Sequence, residues 1–281
     1  MKKTFFFLTA VLFMACAKPD TECRHLTILH TNDTHSQILP DTTDSCRGGY
    51  ARRMGLIKKE RAIDPALLLL DAGDFSQGTP YFNYYNGRIE IDAMNRMGYD
   101  AVTLGNHEFD NGMDTLAMIL RMAHFPVVCA NYDFTGTPLE DIVKPYVILE
   151  RNDIKVGVFG MGCYPYSVID DENFVGVTYL EPAYEVAQQM ADTLRAQGCE
   201  VVICLSHMGG TKPHEKGEPY DKEMVPQTRG IDLVIGGHTH EFVKDVDVKN
   251  LDGQLVPIRQ MQKKGMFLGK IMLSLPAKNE K

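Results

Sequence analysis

Short polar motifs directly follow apolar, strand-like runs at five places in this chain of 281 residues. In open α/β sheets, ligands bind in the crevice at the carboxyl ends of the strands, so motifs placed in this way are expected to share one rim. The apolar runs are residues 26–30, 66–70, 101–104, 201–205 and 231–235. The motifs are Asp33-Thr34-His35, Gly73-Asp74, Gly105-Asn106-His107-Glu108, Ser206-His207 and Gly236-Gly237-His238-Thr239-His240.

Apolar strand-like runs alternate with amphipathic segments from about Leu26 to Leu275, which is typical of an α/β domain. Helices are predicted at residues 49–63, 89–97, 113–123 and 182–196. Further strands are predicted at residues 126–130, 146–149, 156–159, 256–260 and 266–273. The last strand-like runs follow each other without helices, so a partly antiparallel or mixed sheet is expected. We predict one domain over residues 24–276 and a polar tail over 277–281.

The composition excludes one class of partner. A net charge of −8 argues against binding to a nucleic-acid polymer, which requires a basic surface. An anionic small substrate is still compatible with this charge, because bound divalent cations would set the local field.

The first residues have the pattern of an export signal. Lys2 and Lys3 precede an apolar segment over residues 5–14, and small residues follow around Cys16. One interpretation is a bacterial lipoprotein signal over residues 1–15, with Cys16 as the lipidated first residue. The alternative takes Ala15-Cys16-Ala17 as an ordinary A-x-A cleavage site. Both predict an exported bacterial protein, and the first predicts a lipid-anchored protein of the periplasm or outer membrane.

Six cysteines follow Cys16, and export would allow some of them to form disulfides. Cys129 and Cys204 lie inside apolar runs, where a buried thiol acting as a small hydrophobic group is the favoured interpretation. Cys23 with Cys46 is the one pair that we would test.

The motifs carry metal-binding side chains. Residues i and i+2 of an extended segment point the same way, so Asp33 and His35 are expected to hold one metal. His238 and His240 repeat this spacing. Asp74 follows Gly73 and a strand-like run of leucines, and its two carboxylate oxygens can bridge two cations.

Asn106 and His207 add an amide oxygen and a further imidazole to this set. Four imidazoles, two carboxylates and one amide suit two borderline divalent ions, namely Mn, Zn, Co or Fe. Two such ions, about 3.5–4 Å apart, acidify a shared water and clamp the attacking and leaving oxygens of a displacement. Any one of these motifs alone is weak, and their joint occurrence at strand ends is what predicts a dinuclear site.

The set of motifs resembles the calcineurin-like metallophosphoesterases. The segment Leu104-Gly105-Asn106-His107-Glu108-Phe109-Asp110 and the run Asp71-Ala72-Gly73-Asp74 narrow the resemblance to the 5′-nucleotidase branch, over nearly the whole chain after the signal. The resemblance implies a two-sheet mixed β-sandwich flanked by helices, that is, the four-layer fold of this family within the α/β class.

The resemblance also implies a role for each site residue. One metal would be held by Asp33, His35, Asp74 and His240. The other would be held by Asp74, Asn106, His207 and His238. His107 matches the catalytic histidine and Asp110 its partner carboxylate, while Asn106 and His107 would contact the substrate. The alternative role for Asp110 is the N-cap of the helix that follows it.

Full-length 5′-nucleotidases carry a second, C-terminal domain that grips the nucleotide, and this chain ends soon after Leu275. We therefore expect a metallophosphatase domain without that specificity domain. A separate protein that supplies the missing domain, a different substrate, and a permissive lone phosphatase all stay open.

The expected function is hydrolysis of phosphate monoesters, with nucleotides as the first candidates, by a hydroxide that bridges the two metals. The alternatives are a phosphodiesterase, a hydrolase of nucleotide sugars or other pyrophosphates, and a metal-binding subunit that needs a partner. Three further groups are assigned weaker roles. Glu108 is expected to be a hydrogen-bonding residue of the turn, and His214 is a candidate rim residue. The aromatic segment 81–85 is expected to pack locally and cover the pocket edge, and the alternative is that it stacks a base.

Overall fold

The computed structural model describes residues 9–13, 23–42 and 47–278. Over these residues the chain forms strands and helices in alternation. The strands are β1 (Thr9–Phe13), β2 (Cys23–Thr31), β3 (Leu68–Asp71), β4 (Ala101–Thr103), β5 (Val127–Val128), β6 (Tyr132–Asp133), β7 (Val143–Lys144), β8 (Tyr146–Arg151), β9 (Ile154–Met161), β10 (Thr178–Tyr179), β11 (Val201–Ser206), β12 (Leu233–Gly236), β13 (Phe242–Lys249), β14 (Leu255–Met261) and β15 (Gly269–Pro276). The helices are α1 (Tyr50–Ile63), α2 (Pro80–Tyr85), α3 (Arg88–Met97), α4 (Met113–Leu120), α5 (Ala183–Ala196) and α6 (Asp221–Met224).

The strands form two large sheets and a short ribbon. The order is β1-β15-β2-β3-β4-β5-β7 in the seven-stranded sheet and β13-β14-β12-β11-β9-β8 in the six-stranded sheet, and β6 pairs with β10. The pairs β2–β3, β3–β4 and β11–β12 are parallel. The pairs β15–β2, β13–β14 and β8–β9 are antiparallel. Both large sheets are therefore mixed, as the helix-free runs near the end of the chain predicted.

The two sheets pack face to face. Ile28 and Leu70 of one sheet and Ile203 of the other are fully buried in the same apolar cluster. Their neighbours point the other way, because successive side chains of a strand alternate between its faces. Leu29 packs in the cluster that contains Ile57 of α1. Strands buried on both faces read as continuous apolar runs, which is why their positions were visible in the sequence.

Helices cover the outer face of each sheet. The cluster that includes Leu29 holds residues of α1, α3 and α4. A third cluster joins Leu194 of α5 to Val202 and Val234 of the six-stranded sheet. The layer order is thus helix, sheet, sheet, helix, which confirms the predicted α/β sandwich with four layers.

The predicted helices are present with shifted ends. The helix predicted at residues 113–123 ends at Leu120, because Met122 and Ala123 donate to Ile119 and Leu120 in tighter turns. The two short helices α2 and α6 were not predicted, and helices of six and four residues carry too few turns to show a periodicity.

Strand β13 was also missed. Its sequence, FVKDVDVK, exposes the charged residues Asp245, Asp247 and Lys249 at alternate positions and buries chiefly Val243. It is an edge strand of the six-stranded sheet. Charged side chains on an edge protect it from pairing with another chain, at the cost of the apolar signal that would reveal the strand.

Two of the cysteines for which predictions were made lie outside the described residues, and a third lies at the start of a described range. Cys16 and Cys46 lie outside them. Cys23 is disulfide-bonded, and its pairing with Cys46 stays a prediction. Cys129 and Cys204 are free and buried, as predicted. Within the described residues, no helix combines the length and the hydropathy needed to cross a bilayer.

The packing of the two sheets predicts which substitution destabilises the fold. Leu233→Ala removes a fully buried side chain between the sheets. It should lower the free energy of unfolding by about 2–5 kcal/mol, measured by urea denaturation. The matched control is Leu251→Ala, since Leu251 is 54% exposed and its loss should change stability by less than about 0.5 kcal/mol. Equal effects of the two substitutions would contradict this packing.

Candidate metal centre

The five predicted motifs meet where five strands end. β2, β3 and β4 are parallel neighbours in one sheet, and β11 and β12 are parallel neighbours in the other. The loops after β2 and β3 are joined by backbone hydrogen bonds, 2.9 Å from Asp33 N to Gly73 O and 3.0 Å from His35 N to Asp74 O. The strand ends thus bring together residues that are distant in sequence.

A first group of donor atoms lies at the end of β2. One ligand atom from each of Asp33, His35, Asp74 and His240 lies within 4.8 Å of every other. The Nε2 atoms of His35 and His240 are 2.9 Å apart, and His240 Nε2 is 3.5 Å from Asp33 Oδ1. His35 Nε2 is 4.0 Å from Asp74 Oδ2. Donor atoms this close together can all reach one cation.

A second group lies beside the first and shares Asp74 with it. Asp74, His207 and His238 bring their ligand atoms within 4.8 Å of one another. His207 Nε2 is 3.0 Å from Asp74 Oδ2. Asn106 lies in the loop that approaches this group, because a Cβ atom on its neighbour Gly105 would be 2.7 Å from His207 Nε2. The structure therefore brings His240 into one group and His238 into the other, which is the division that the family resemblance implied.

The residues present fit divalent cations. Asn106 Oδ1 and His238 Nε2 are buried polar atoms that have no hydrogen-bond partner among the described residues. Such atoms are costly unless something coordinates them. Asp33 and Asp74 are at most 1% exposed and lie among imidazoles. Two carboxylates, four imidazoles and an amide are the donor set of borderline metals.

Hydrogen bonds orient the donors. His207 Nδ1 lies 2.6 Å from Ala72 O, so it donates there and leaves Nε2 facing the donor group. Asp33 accepts from His238 N at 2.9 Å and from Asn32 Nδ2 at 2.5 Å. Contacts of this kind fix the tautomer and the orientation of metal ligands. Asn32 was not predicted, although its position directly before Asp33 could have suggested such a contact.

Glu108 joins two of the ligand loops. Its carboxylate accepts hydrogen bonds from Asp74 N at 2.9 Å, Gly105 N at 2.7 Å and Ser76 N at 3.0 Å. Burial and the charge of Asp74 raise the pKa of Glu108 to about 7, against the effect of these hydrogen bonds. Glu108 lies in neither donor group, so its predicted role as a hydrogen-bonding residue of the turn is confirmed.

The backbone of the ligand loops differs from the prediction. Asp33, His35, Asp74, His238 and His240 all have positive φ, between 43° and 75°. The expectation that extended i and i+2 residues point the same way is therefore wrong for both pairs. Left-handed conformations of non-glycine residues are costly and persist where the surrounding structure enforces them, typically at functional sites.

Glycines allow the donors to approach each other. A Cβ atom on Gly105 would lie 2.2 Å from Asp74 Oδ1, and one on Gly237 would lie 2.7 Å from His207 Nδ1. A side chain at either position would collide with the side chain of a donor residue.

His107 and Asp110 form a pair at the open edge of the centre. His107 Nδ1 is 2.9 Å from Asp110 Oδ2, and each side chain is about one third exposed, at 31% and 32%. His107 N donates to Asp74 Oδ1 at 3.0 Å, and its ring packs edge-on against His35. Asp110 is not a helix N-cap, because α4 begins after Gly112 and has no side-chain cap.

Opposing effects determine the protonation of these groups. Burial lowers the pKa of His107, but the hydrogen bond with Asp110 and the charge of Asp74 outweigh it and raise the pKa. At His207 the carboxylates of Asp74 and Asp33 likewise outweigh burial and raise the pKa to about 10. Burial lowers the pKa of His35 to about 4 and that of His240 to about 3. The carboxylates that favour a proton on His207 also attract a cation.

The aromatic segment 81–85 and His214, which were assigned weaker roles, differ in exposure and in their contact with the centre. Tyr84 and Tyr85 of α2 are 84% and 46% exposed, whereas Phe82 is buried. His214 does reach the centre, with its ring centroid 4.5 Å from that of His238.

The tight packing around Gly105 makes metal binding sensitive to one methyl group. Gly105→Ala should lower metal affinity about tenfold or more, because the new Cβ displaces Asp74 and His207. Metal content after equilibrium dialysis measures the effect. The control is Gly55→Ala in α1, where a Cβ would meet no atom of the described residues within 4 Å. Unchanged metal content in both variants would show that the cation binds elsewhere.

Comparison with known proteins agrees with this geometry. A family model described as calcineurin-like phosphoesterase matches residues 26–242. A snake venom 5′-nucleotidase from Gloydius brevicauda is 35% identical over 92% of this chain and 47% of its own length. Among solved structures, a 5′-nucleotidase precursor from Thermus thermophilus has a TM-score of 0.79 and 32% identity, covering 92% of this chain and 52% of the other. The calcineurin-like phosphoesterase YfkN from Bacillus subtilis has a TM-score of 0.76 and 30% identity, covering 91% of this chain and 86% of the other.

The chain spans about half the length of the curated relatives it matches, and the match includes the strand ends that carry every donor residue named above. Family model, relatives and fold all lead to one assignment. The chain belongs to the calcineurin-like phosphoesterases, a family of metal-dependent enzymes, and resembles the 5′-nucleotidases within it.

Proposed function

We propose that this chain is a dinuclear metal-dependent phosphohydrolase that cleaves phosphate monoesters, with nucleotides as the first candidates. The observation that carries the proposal is the pair of donor groups that share Asp74, with the His107–Asp110 pair at their open edge. One cation is assigned to Asp33, His35, Asp74 and His240, and the other to Asp74, Asn106, His207 and His238. Manganese, zinc, cobalt and iron all suit these donors.

When bound, two such cations supply an acidified water and neutralise the charge of the phosphoryl group. Residues of the chain itself bind the phosphoryl group and supply the general acid. Asn106 is positioned by the turn that begins at Gly105, and it lies next to His107 in the sequence. We assign both side chains to contact with the phosphoryl oxygens, since Asn106 is a proposed ligand of the second cation and His107 lies at the open edge of the centre.

His107 is the proposed general acid. The Asp110 carboxylate holds its Nδ1, which leaves Nε2 to face the leaving oxygen. The raised pKa of His107 favours the imidazolium form that has a proton to give. A positioned acid of this kind contributes about 10²–10⁴-fold to rate. Asp110 acts through His107, so it is a positioning residue.

The substrate class rests on the relatives. The relatives reported above include 5′-nucleotidases, which supports nucleotides over other monoesters. The chain spans about half of their length. Phosphodiesters, nucleotide sugars and a separate specificity partner are therefore alternative outcomes of the substrate test below.

We also propose that the protein is exported and lipidated at Cys16. Mass spectrometry of the N-terminal peptide from the native membrane fraction would detect a diacylated or triacylated Cys16. Recovery of an unmodified N-terminus in the soluble fraction would favour the ordinary cleavage site.

The acid role predicts a split between activity and metal content. His107→Ala should reduce kcat at least ~100-fold while both cations stay bound, because its side chain is not a donor. Phosphate release and metal analysis on the same sample measure this. His124→Ala is the control, since His124 is exposed and lies outside the centre. Loss of metal together with activity would assign His107 to metal binding instead.

The shared carboxylate predicts the opposite pattern. Asp74→Ala removes a donor from both groups, so both cations should be lost or bound much more weakly. Metal analysis should show fewer than one tightly bound ion per chain. Asp92→Ala, on the exposed face of α3, is the control. Retention of two tightly bound ions in Asp74→Ala would contradict the shared-ligand arrangement.

The substrate is tested with a panel of nucleoside monophosphates, simple monoesters, diesters and nucleotide sugars, with manganese- or zinc-loaded protein. Selective turnover of nucleoside monophosphates supports the proposal. Preference for diesters or nucleotide sugars would replace the substrate class, and no turnover with any metal would contradict an enzyme that acts alone.

A further inference from the structure

A third group of donor atoms lies at the rim, beside the two that the proposed function uses. His214, Glu218 and His238 bring one ligand atom each within 4.8 Å of one another. His214 and Glu218 belong to the loop of residues 211–220, between β11 and α6, which we call the rim loop. Neither residue contributes to the other two groups.

The geometry of this group suits a cation. The rings of His214 and His238 have centroids 4.5 Å apart and are tilted by 39°. His214 Nδ1 is 4.0 Å from Glu218 Oε2. His238 is 7% exposed, and its Nε2 has no hydrogen-bond partner within the described part of the chain. The His214 side chain is 40% exposed and gives access from solvent.

The rim loop holds these side chains in place at both ends. Glu218 accepts hydrogen bonds from Glu215 N at 2.9 Å and from the Ser167 hydroxyl. At the other end Thr211 N donates to Glu241 Oε2 at 3.0 Å, and Thr239, between the two ligand histidines, donates to the same oxygen at 2.7 Å. The loop is thus fixed to the segment that carries His238, which favours a preformed site over a chance encounter.

The charge of the loop permits a cation. Between residues 211 and 222, three lysines are matched by three acidic residues. The segment therefore has no net positive charge to repel a divalent ion. Two imidazoles and one carboxylate, with one open position, form a donor set that zinc accepts.

We propose that His214, Glu218 and His238 form a third, solvent-facing site for a borderline divalent cation such as zinc. Since His238 also belongs to the second donor group, a cation at the rim draws a ligand away from that group and leaves it Asp74, Asn106 and His207. Excess zinc should therefore bind weakly as a third ion and inhibit hydrolysis. The inhibition rests on the proposed function, whereas the binding does not.

Metal counting tests the binding directly. The purified full chain is dialysed against increasing zinc chloride, and zinc per chain is measured by mass spectrometry. We expect a third equivalent in the unmodified chain and its loss, by about tenfold or more in affinity, in His214→Ala. Glu218→Gln should behave alike, and Glu215→Gln, at an exposed position of the same loop, is the matched control that retains the third ion.

A spectroscopic readout separates the rim from the other two groups. Cobalt added after two equivalents should give a further visible absorption band in the unmodified chain and none in His214→Ala. His214 is exposed, so this variant should fold, and its thermal unfolding is measured alongside. Excess zinc should inhibit the unmodified enzyme at concentrations about tenfold lower than it inhibits His214→Ala.

Equal zinc content and equal cobalt spectra in the unmodified chain and His214→Ala would overturn the proposal, and His214 would then only pack against His238. If two ions bind and substrate is hydrolysed without a third ion, the rim site alone fails. If no substrate is hydrolysed, the proposed function fails, and the metal counts still decide the rim site.

Discussion

The carboxylate of Asp74 is the group on which the candidate centre depends. It is 1% exposed, belongs to both donor groups and lies 3.0 Å from His207 Nε2. A carboxylate buried to this extent is stable only with compensating positive charge or hydrogen bonds. Here the compensation comes from the neighbouring histidines and from His107 N, and a pair of cations would complete it. The loops from four other strands converge on this one side chain.

The packed sheets hold the donor residues in strained backbone conformations. Five donor residues adopt left-handed backbone conformations, and close approach at Gly73, Gly105 and Gly237 leaves no room for a side chain. Such strain persists only where rigid surroundings enforce it. The surroundings are two packed sheets, whose strand ends are joined by backbone hydrogen bonds and by the Glu108 carboxylate. The rigid sandwich of two sheets thus holds the donor residues in place at its edge.

The sequence predicted those features that are local or repeat with a period. Strands buried on both faces leave continuous apolar runs, so the strand ends and the motifs after them were visible, and with them the residues of the two donor groups that share Asp74. The loop conformations were not, because Asp33 and His35 converge through left-handed turns and not through an extended segment. The contact of His214 with His238 joins residues distant in sequence, and no pattern within either segment encodes it. The edge strand β13 carries charged side chains, which suit it to the edge of a sheet and also remove the apolar signal that would have revealed it.

Anomalous diffraction from a crystal grown with manganese or zinc at two equivalents per chain tests the central claim most directly. Two strong peaks are expected at the strand ends. One should lie at bonding distance from Asp33, His35, Asp74 and His240, and the other from Asp74, Asn106, His207 and His238. A single peak, or two peaks that do not share Asp74, would contradict a dinuclear centre built on that carboxylate.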